Sequence, residues 1–413
     1  MAHFNGTGGN DDFSGTSGDD VFNMTQGGND TVHAGDGADR IHGGDGNDNF
    51  SGEAGDDTLA GGSGDDYLNG GDGANVLYGG SGDDVLIDAG AGSLLSGGRG
   101  DDVIEVTGDT GWTAMGGIGD DQVVDQGGRA AVLDGGRGAD NLHLDRSAVS
   151  GDTTIVFRPG SGAVETLPDG TTFRNFEHLD LLTGAGNDSV VFNEPIWGHA
   201  RWTLDNSWDA GGGFDAVTVL LSDNTAGINA FFGAVYYQIQ QIIAGVWQNT
   251  LLVANVEAFN LTAGSGDDVL VGGPNADILI GNGGDDEITG GEGADTIVVG
   301  LGSDTVVYSG AADSMTGSID TLEGFNAAAD KIDLWFAVSA IDAPLSGDLA
   351  NLENIADAAH LGVDAVLLFS ATDGHVYLVM DADGTAGYQD GEDMLVRLDD
   401  AKHLSALSTG DFI

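Results

Sequence analysis

Apolar side chains fall at a fixed interval along the first quarter of the chain. Between Ala34 and Glu105 they stand at Ile41, Phe50, Leu59, Leu68, Leu77, Leu86, Leu95 and Ile104, one in every nine residues. Glycine, aspartate and asparagine fill the gaps, as in "GGSGDDYLN" at 61–69 and "GGSGDDVLI" at 79–87. Within the unit, glycine dominates positions one, two and four, aspartate holds position six and the apolar residue position eight. Helical periodicity is absent. Six turn-forming residues followed by three with one inward side chain predict a tight turn joined to a very short strand. One unit cannot bury its own apolar residue. Two units back to back complete a flattened coil of eighteen residues, and stacked coils enclose the apolar columns between two parallel sheets.

Copies at Thr25–His33 and across Gly6–Asn23 extend the run towards the start, with Met24 as the one slip in register. Single copies stand at Gly116–Val124 and Gly135–His143, and a second block runs from Ala263 to Val307. Two outliers, "TGAGNDSVV" (183–191) and "AGGGFDAVT" (210–218), punctuate a middle rich in Val, Ile, Phe and Trp. The organisation expected is a first repeat block over 1–143, a degenerate solenoid with longer excursions over 144–262, a second block over 263–307 and a cap over 308–413. The class expected is all-β.

Charge sharpens this picture. The chain carries 68 Asp plus Glu against 11 Lys plus Arg, a formal charge of -57, and only two lysines, Lys331 and Lys402. Salt bridges within the chain cannot neutralise so many carboxylates, and nucleic acid or anionic lipid is excluded as a partner. A cation is required from outside. Aspartates stacked at the strand spacing of about 5 Å repel by roughly 3 kcal/mol per neighbouring pair at an effective dielectric of about 20. Cysteine is absent, so disulfides and thiolate metal sites are excluded, and nine scattered histidines give no zinc motif. The 73 glycines and five prolines point to tight turns rather than rigid linkers. No apolar run is long enough to span a bilayer, and "MAHFNGTGGNDDF" lacks the basic and apolar regions of a secretory signal.

The repeated unit resembles the G-G-x-G-x-D-x-U-x nonapeptide of RTX (repeats-in-toxin) proteins. That resemblance implies a right-handed parallel β-roll or β-helix stapled by many calcium ions. It implies that position-six carboxylates are ligands: Asp11, Asp20, Asp30, Asp39, Asp48, Asp57, Asp66, Asp84 and Asp102 in the first run, then Asp121 and Asp140 in the single copies. Asp188 and Asp215 take the same place in the outliers, and Asp268, Asp277, Asp286, Asp295 and Asp304 in the second block. Turn carbonyls would complete the shells, at Gly43 and Gly46, Gly61 and Gly64, Gly79 and Gly82, and Gly97 and Gly100. Along one edge Asp48, Asp66, Asp84 and Asp102 stack and should hold a continuous row of ions. Along the other the column reads Asp39, Asp57, Asn75, Ser93 and should lose ions towards Ser93, since Asn and Ser lack the charge and the bidentate carboxylate.

Other chemistry is thinner. Trp197, Trp202, Trp208 and Trp247 suit a sugar platform or, more simply, a core; Glu177, Glu194, Asp205 and Asp209 suit a glycosidase or lyase pair, though proximity among 68 acids is expected by chance. His178 and His199 carry no motif. No His precedes Glu and no Ser is flanked by glycines at both second neighbours, so the zinc-protease helix and the lipase elbow are missing, and repeats starting at Gly6 predict no preceding enzyme or pore domain.

"SIDTLEGFNAAADKIDLWF" resembles the β and short-helical cap of serralysins, and "LSTGDFI" resembles the uncleaved signals read by type I exporters. Before it, "HVYLVMDADGTAGYQDGEDMLVRLDDA" predicts a hairpin with an acidic tip, in which Asp381, Asp383 and Glu392 match the first, third and twelfth places of an EF-hand loop although Ala386 replaces its glycine. The function expected is a secreted, calcium-folded solenoid of a Gram-negative bacterium, structural or adhesive, in a surface layer, matrix or filament. Its partners would be calcium, a type I secretion apparatus, further copies of the chain and cell-surface polysaccharide. The alternative is a polysaccharide lyase, epimerase or hydrolase with its site on the middle coils.

Overall fold

The computed structural model describes the chain except residues 108–110, 128, 194–205, 222–226, 233–236, 244–245, 316, 353–355, 357–360 and 391. The chain divides into two compact units, Met1–Val190 with His199–Gly213, and Val191–Gly198 with Phe214–Ile413.

In the first unit each coil contributes one short strand to each of two parallel sheets. Arg40–Asp45, Thr58–Ser63, Val76–Ser81 and Leu94–Arg99 are successive neighbours in one sheet; Asn49–Ser51, Tyr67–Asn69, Val85–Asp88 and Val103–Val106 are successive neighbours in the other. The register steps by one coil, so Leu59 lies beside Leu77 and Leu68 beside Leu86. All eight apolar residues of the nine-residue series are fully buried. This is the parallel β-roll that the alternation of turn and single apolar residue dictates. Met24, the slip in register, is also fully buried, and across it Phe22 pairs with Ile41 while Phe4 pairs with Phe22. The extra residue is absorbed by turning into the core.

Beyond His143 the roll continues with longer excursions. Asn141–Asp145 pairs parallel with His178–Leu182, which pairs parallel with Asn206–Asp209. In the second unit Ala216–Leu220, Ala258–Thr262, Ile278–Ile280, Thr296–Val298 and Asp320–Glu323 follow one another in one parallel sheet. The excursion between Ile228 and Ala254 is different in kind: Ile228–Phe232, Tyr237–Ile243 and Val246–Ala254 pair antiparallel, because a long strand that turns directly back must do so. The cap is an antiparallel layer of Ala365–Ala371, Val376–Met380 and Met394–Asp399, joined in parallel to Asp320–Glu323. Its described helical elements include the short 3-10 turns Leu349–Asn351 and Leu404–Ala406.

The fourth-position glycines make the stacking possible. Gly82 has φ +124°, and a Cβ built on it would sit 2.3 Å from the Gly64 carbonyl oxygen of the preceding coil. Both the backbone conformation and the space forbid a side chain. Gly18, by contrast, has nothing within 4 Å of a built Cβ. Gly82→Ala is therefore expected to destabilise the fold by about 2 kcal/mol or more, with Gly18→Ala near neutral, measured by urea melts in calcium.

Candidate metal centres

Each turn delivers its position-six aspartate to the inside of the coil edge. The Oδ1 atom accepts the backbone N–H of the corresponding aspartate one coil earlier: Asp30 N–H donates to Asp48, Asp48 to Asp66, Asp66 to Asp84 and Asp84 to Asp102, at 2.8, 2.8, 2.8 and 2.9 Å. The column goes on through Asp121 and Asp140 and ends on Glu177, whose Oε2 accepts the Asp140 N–H at 2.7 Å. On the other edge Asp20 donates to Asp39, Asp39 to Asp57, Asp57 to Asn75 Oδ1 and Asn75 to Ser93 Oγ. The two columns expected from the sequence are thus physical ladders.

The second carboxylate oxygen is the chemically unusual one. In Asp30, Asp39, Asp48, Asp57, Asp66, Asp84, Asp102, Asp121 and Asp140, Oδ2 is buried without a hydrogen-bond partner. The same holds in the second unit for Asp268, Asp286, Asp295 and Asp304. This oxygen lies beneath its own turn. A Cβ built on Gly43, Gly61, Gly79 or Gly97 would meet the Oδ2 of Asp48, Asp66, Asp84 or Asp102 at 2.3, 2.1, 2.3 and 2.3 Å. First-position glycine therefore leaves room for the carboxylate, and the carbonyls of the fourth-position residues Gly46, Gly64, Gly82 and Gly100 belong to the same stacked turns. A buried anionic oxygen lacking a donor, in a turn of exposed carbonyls, fits a hard cation with many oxygen ligands, as calcium is.

Not every predicted ligand is in that state. Asp11 and Asp20 follow a threonine at position two, and Thr16 donates its N–H and hydroxyl to Asp20 Oδ2 at 2.8 and 2.7 Å. Thr7 serves Asp11 in the same way. Asp277 Oδ2 accepts the Gly273 N–H. The two outliers instead keep the ladder bonds themselves: Asp188 Oδ1 accepts the Thr153 N–H, and Asp215 donates its own N–H to Glu257.

Four acidic residues not read as ladder members from the sequence extend the ladders, among them Glu177, which the sequence marks only as a catalytic candidate. Glu177 and Glu257 accept from Asp140 and Asp215, while Asp320 and Asp330 accept the N–H groups of Asp295 and Asp304 at 2.9 and 3.2 Å. Each precedes an inward apolar residue by two positions: Leu179, Phe259, Leu322 and Ile332. That spacing was the available signal. A second, outer ladder also went unread. Position-five side chains accept from the following coil, with Asn47 N–H bonded to Asn29, Asp65 to Asn47, Asp83 to Asp65 and Asp101 to Asp83 at 2.9, 3.1, 3.0 and 2.8 Å.

The second edge changes chemistry after Asp57. Asn75 donates its amide to Asp88 Oδ1 at 2.6 Å, and Asp88 is a fully buried residue at a position that is glycine in intact repeats. Two coils on, at the same register, Asp125 is buried against Arg146, whose Nη2 lies 2.6 Å from its Oδ2 and whose Nε lies 2.9 Å from Asp169. A guanidinium supplies positive charge on this edge.

Several alternative site residues resolve differently. Trp208 is buried and donates to Thr183 Oγ1, so it belongs to the core and not to a sugar platform. Trp197, Trp202, Glu194, Asp205 and His199 lie outside the described residues.

Burial raises the carboxyl pKa values along the ladders. Asp48, Asp57, Asp84 and Asp121 are pushed to about 6, Asp66 to about 7, and Asp102 and Asp140 to about 8, by desolvation first and then by neighbouring aspartates that outweigh part of the backbone hydrogen bonding. In the second unit Asp286 and Asp295 reach about 7, and Asp320 about 9, for the same leading reason. A carboxyl whose folded pKa lies above its unfolded value stabilises the cation-free fold while protonated. This contribution is complete below the unfolded value near 4 and disappears as pH rises through 6 to 8. In chelator, circular dichroism is therefore expected to show more β structure at pH 5 than at pH 8, whereas calcium affinity should rise over that interval as protons leave. Asp66→Asn keeps an Oδ1 acceptor but removes the charge. In urea melts at pH 8 it should stabilise the chelated protein and destabilise the calcium-loaded one, a reversal that loss of packing alone cannot produce.

The family model of the RTX calcium-binding nonapeptide repeat (4 copies) matches residues 4–23, 24–59, 51–86, 260–277 and 271–306. Comparison with curated proteins gave no match. Among solved structures, the extracellular lipase LipA from Serratia marcescens aligns at 19% identity and a TM-score of 0.17, covering 80% of this chain. The chain spans 40% of that structure's length. The matched segments hold much of the two ladders, from Asp20 to Asp84 and from Asp268 to Asp304; they are RTX calcium-binding nonapeptide repeats, and the β-roll they build binds multiple calcium ions.

Proposed function

We propose that this protein is secreted and, once folded by calcium outside a Gram-negative cell, serves a structural or adhesive role as a surface-layer, matrix or filament component. The observation that carries the reading is the pair of ladders: stacking of the intact turns, with their unpartnered Oδ2 atoms, calls for cations that are plentiful outside cells and scarce within. The outer ladder supports the adhesive part. Asn47, Asp65 and Asp83 repeat on an exposed edge at the coil spacing, so a second acidic surface, polysaccharide or protein, can be bridged through shared calcium.

Export through a type I apparatus is supported by the state of the last residues. In the folded chain the Leu334 N–H donates to the Ile413 carbonyl and the Ile413 N–H to that of Ile332, Phe412 pairs with Ile332, and Lys331 Nζ lies 2.6 Å from Asp411. A segment that is docked in this way is readable by an exporter only before folding. Low cytosolic calcium would preserve that window.

One observation favours the enzymatic alternative. On adjacent strands His143 Nδ1 lies 2.6 Å from Asp180, and Ser207 donates to the other oxygen of the same carboxylate. The Asp180 hydrogen bond raises the His143 pKa, which suits an acid or base acting on an acidic polysaccharide. Ser207 is not bonded to the imidazole, which leaves it without a base in the role of nucleophile.

For the adhesive role, light scattering should show reversible assembly at millimolar calcium and monomers in chelator, and labelled protein should bind cells only with calcium. Monomers at all calcium levels, together with no cell binding, would remove that role. Turnover of an acidic polysaccharide that is abolished by His143→Ala would establish the alternative in its place.

A further inference from the structure

The cap holds a group of carboxylates that belongs to neither ladder. Val376–Met380 and Met394–Asp399 form an antiparallel hairpin in which Met380 faces Met394, so the next residues outward, Asp381 and Asp393, meet at the mouth of the connecting loop. Asp381, Asp383 and Asp393 each offer an oxygen, and these oxygens lie within 4.8 Å of one another. The EF-hand spacing read from the sequence named Glu392 as the third member. Hairpin register selects its neighbour.

Turn capping accounts for part of this group. Asp393 accepts the N–H groups of Ala382 and Asp383 on Oδ1 and of Gln389 on Oδ2, at 2.7, 3.3 and 2.7 Å. It does not account for Asp381. That residue is fully buried; its Oδ1 accepts the Gly384 N–H at 3.0 Å, and its Oδ2 is buried with no hydrogen-bond partner. In the same loop Gln389 Oε1 is also buried and unpartnered.

The loop has little freedom to spread these oxygens apart. Gly387 and Tyr388 donate their N–H groups to the carbonyls of Leu361 and Ala356, and the Tyr388 side chain packs in the apolar cluster with Leu352, Leu367 and Leu395. Two cations of the cap are engaged elsewhere, Arg397 with Asp399 and Lys331 with Asp411. Burial raises the pKa of Asp381, and takes Asp393 to about 6. Two buried carboxylates and a third beside them, held together without a counter-charge, make a persistent demand for a cation.

We propose that Asp381, Asp383 and Asp393 form a calcium site in the cap, outside the nonapeptide repeats, that locks the hairpin onto the cluster around Tyr388. The donors are hard oxygens from three carboxylates, with no imidazole among them, which favours calcium over zinc. Unlike the ladder ions, this one would be held within a single loop, and its loss would not propagate from coil to coil.

The test uses the full chain in saturating calcium. Bound calcium is counted after dialysis, and hydrogen exchange is followed by mass spectrometry on peptides covering 376–399 and on peptides from the repeats. Asp383→Asn, at an exposed position, and Asp381→Asn should each release one calcium per chain and speed exchange of the hairpin roughly tenfold, with repeat peptides still protected. Should Asp381→Asn fail to fold, Asp383→Asn decides alone. An unchanged calcium count with unchanged hairpin exchange overturns the proposal, and protection in the repeats reports separately on the β-roll ions.

Discussion

The structure depends on one unsatisfied atom repeated many times. In each intact turn, one aspartate oxygen ties its coil to the preceding coil, and the other is buried under a glycine with nothing to accept from. The first interaction is what stacks the coils; the second makes stacking unfavourable unless a cation arrives. Ion binding and coil stacking are consequently a single event, and a site does not exist until two coils are in register. The glycines serve the same atom: at position one they make room for it, and at position four they let neighbouring turns approach closely enough to share an ion.

Much of this was legible because the chain repeats. A period of nine with one apolar residue fixed the two-sheet coil, and the columns Asp48 to Asp102 and Asp39 to Ser93 followed from counting alone. Legibility failed where one residue type does another's work. Glu177, Glu257, Asp320 and Asp330 continue the ladders without the glycine turn, so a pattern anchored on glycine passes over them, although the apolar residue two positions later marks each one. Thr7 and Thr16 satisfy the carboxylates of Asp11 and Asp20 with their own N–H and hydroxyl groups, a substitution invisible when only the aspartates are aligned.

The middle and the cap were harder for a different reason. Antiparallel return of the strands between Ile228 and Ala254 is set by which long segments meet after a turn, and no local period records that. In the cap, hairpin register brings Asp393 rather than Glu392 to Asp381. Spacing along the chain names candidates, and only pairing across strands decides between adjacent ones. The outer ladder through Asn47 and Asp65 had the opposite problem, being so regular that its residues read as turn formers.

Arg146 has a consequence for how the first unit comes apart. Its guanidinium is charged whatever the ion concentration, and it is buried between Asp125 and Asp169 on the edge where the aspartate column has given way to Asn75 and Ser93. Stripping the protein of metal removes the glue elsewhere but not this covalently attached counter-ion. At this point of the edge the buried carboxylates of Asp125 and Asp169 have a partner that no chelator can remove, whereas Asp121 and Asp140 on the opposite edge of the same coils do not.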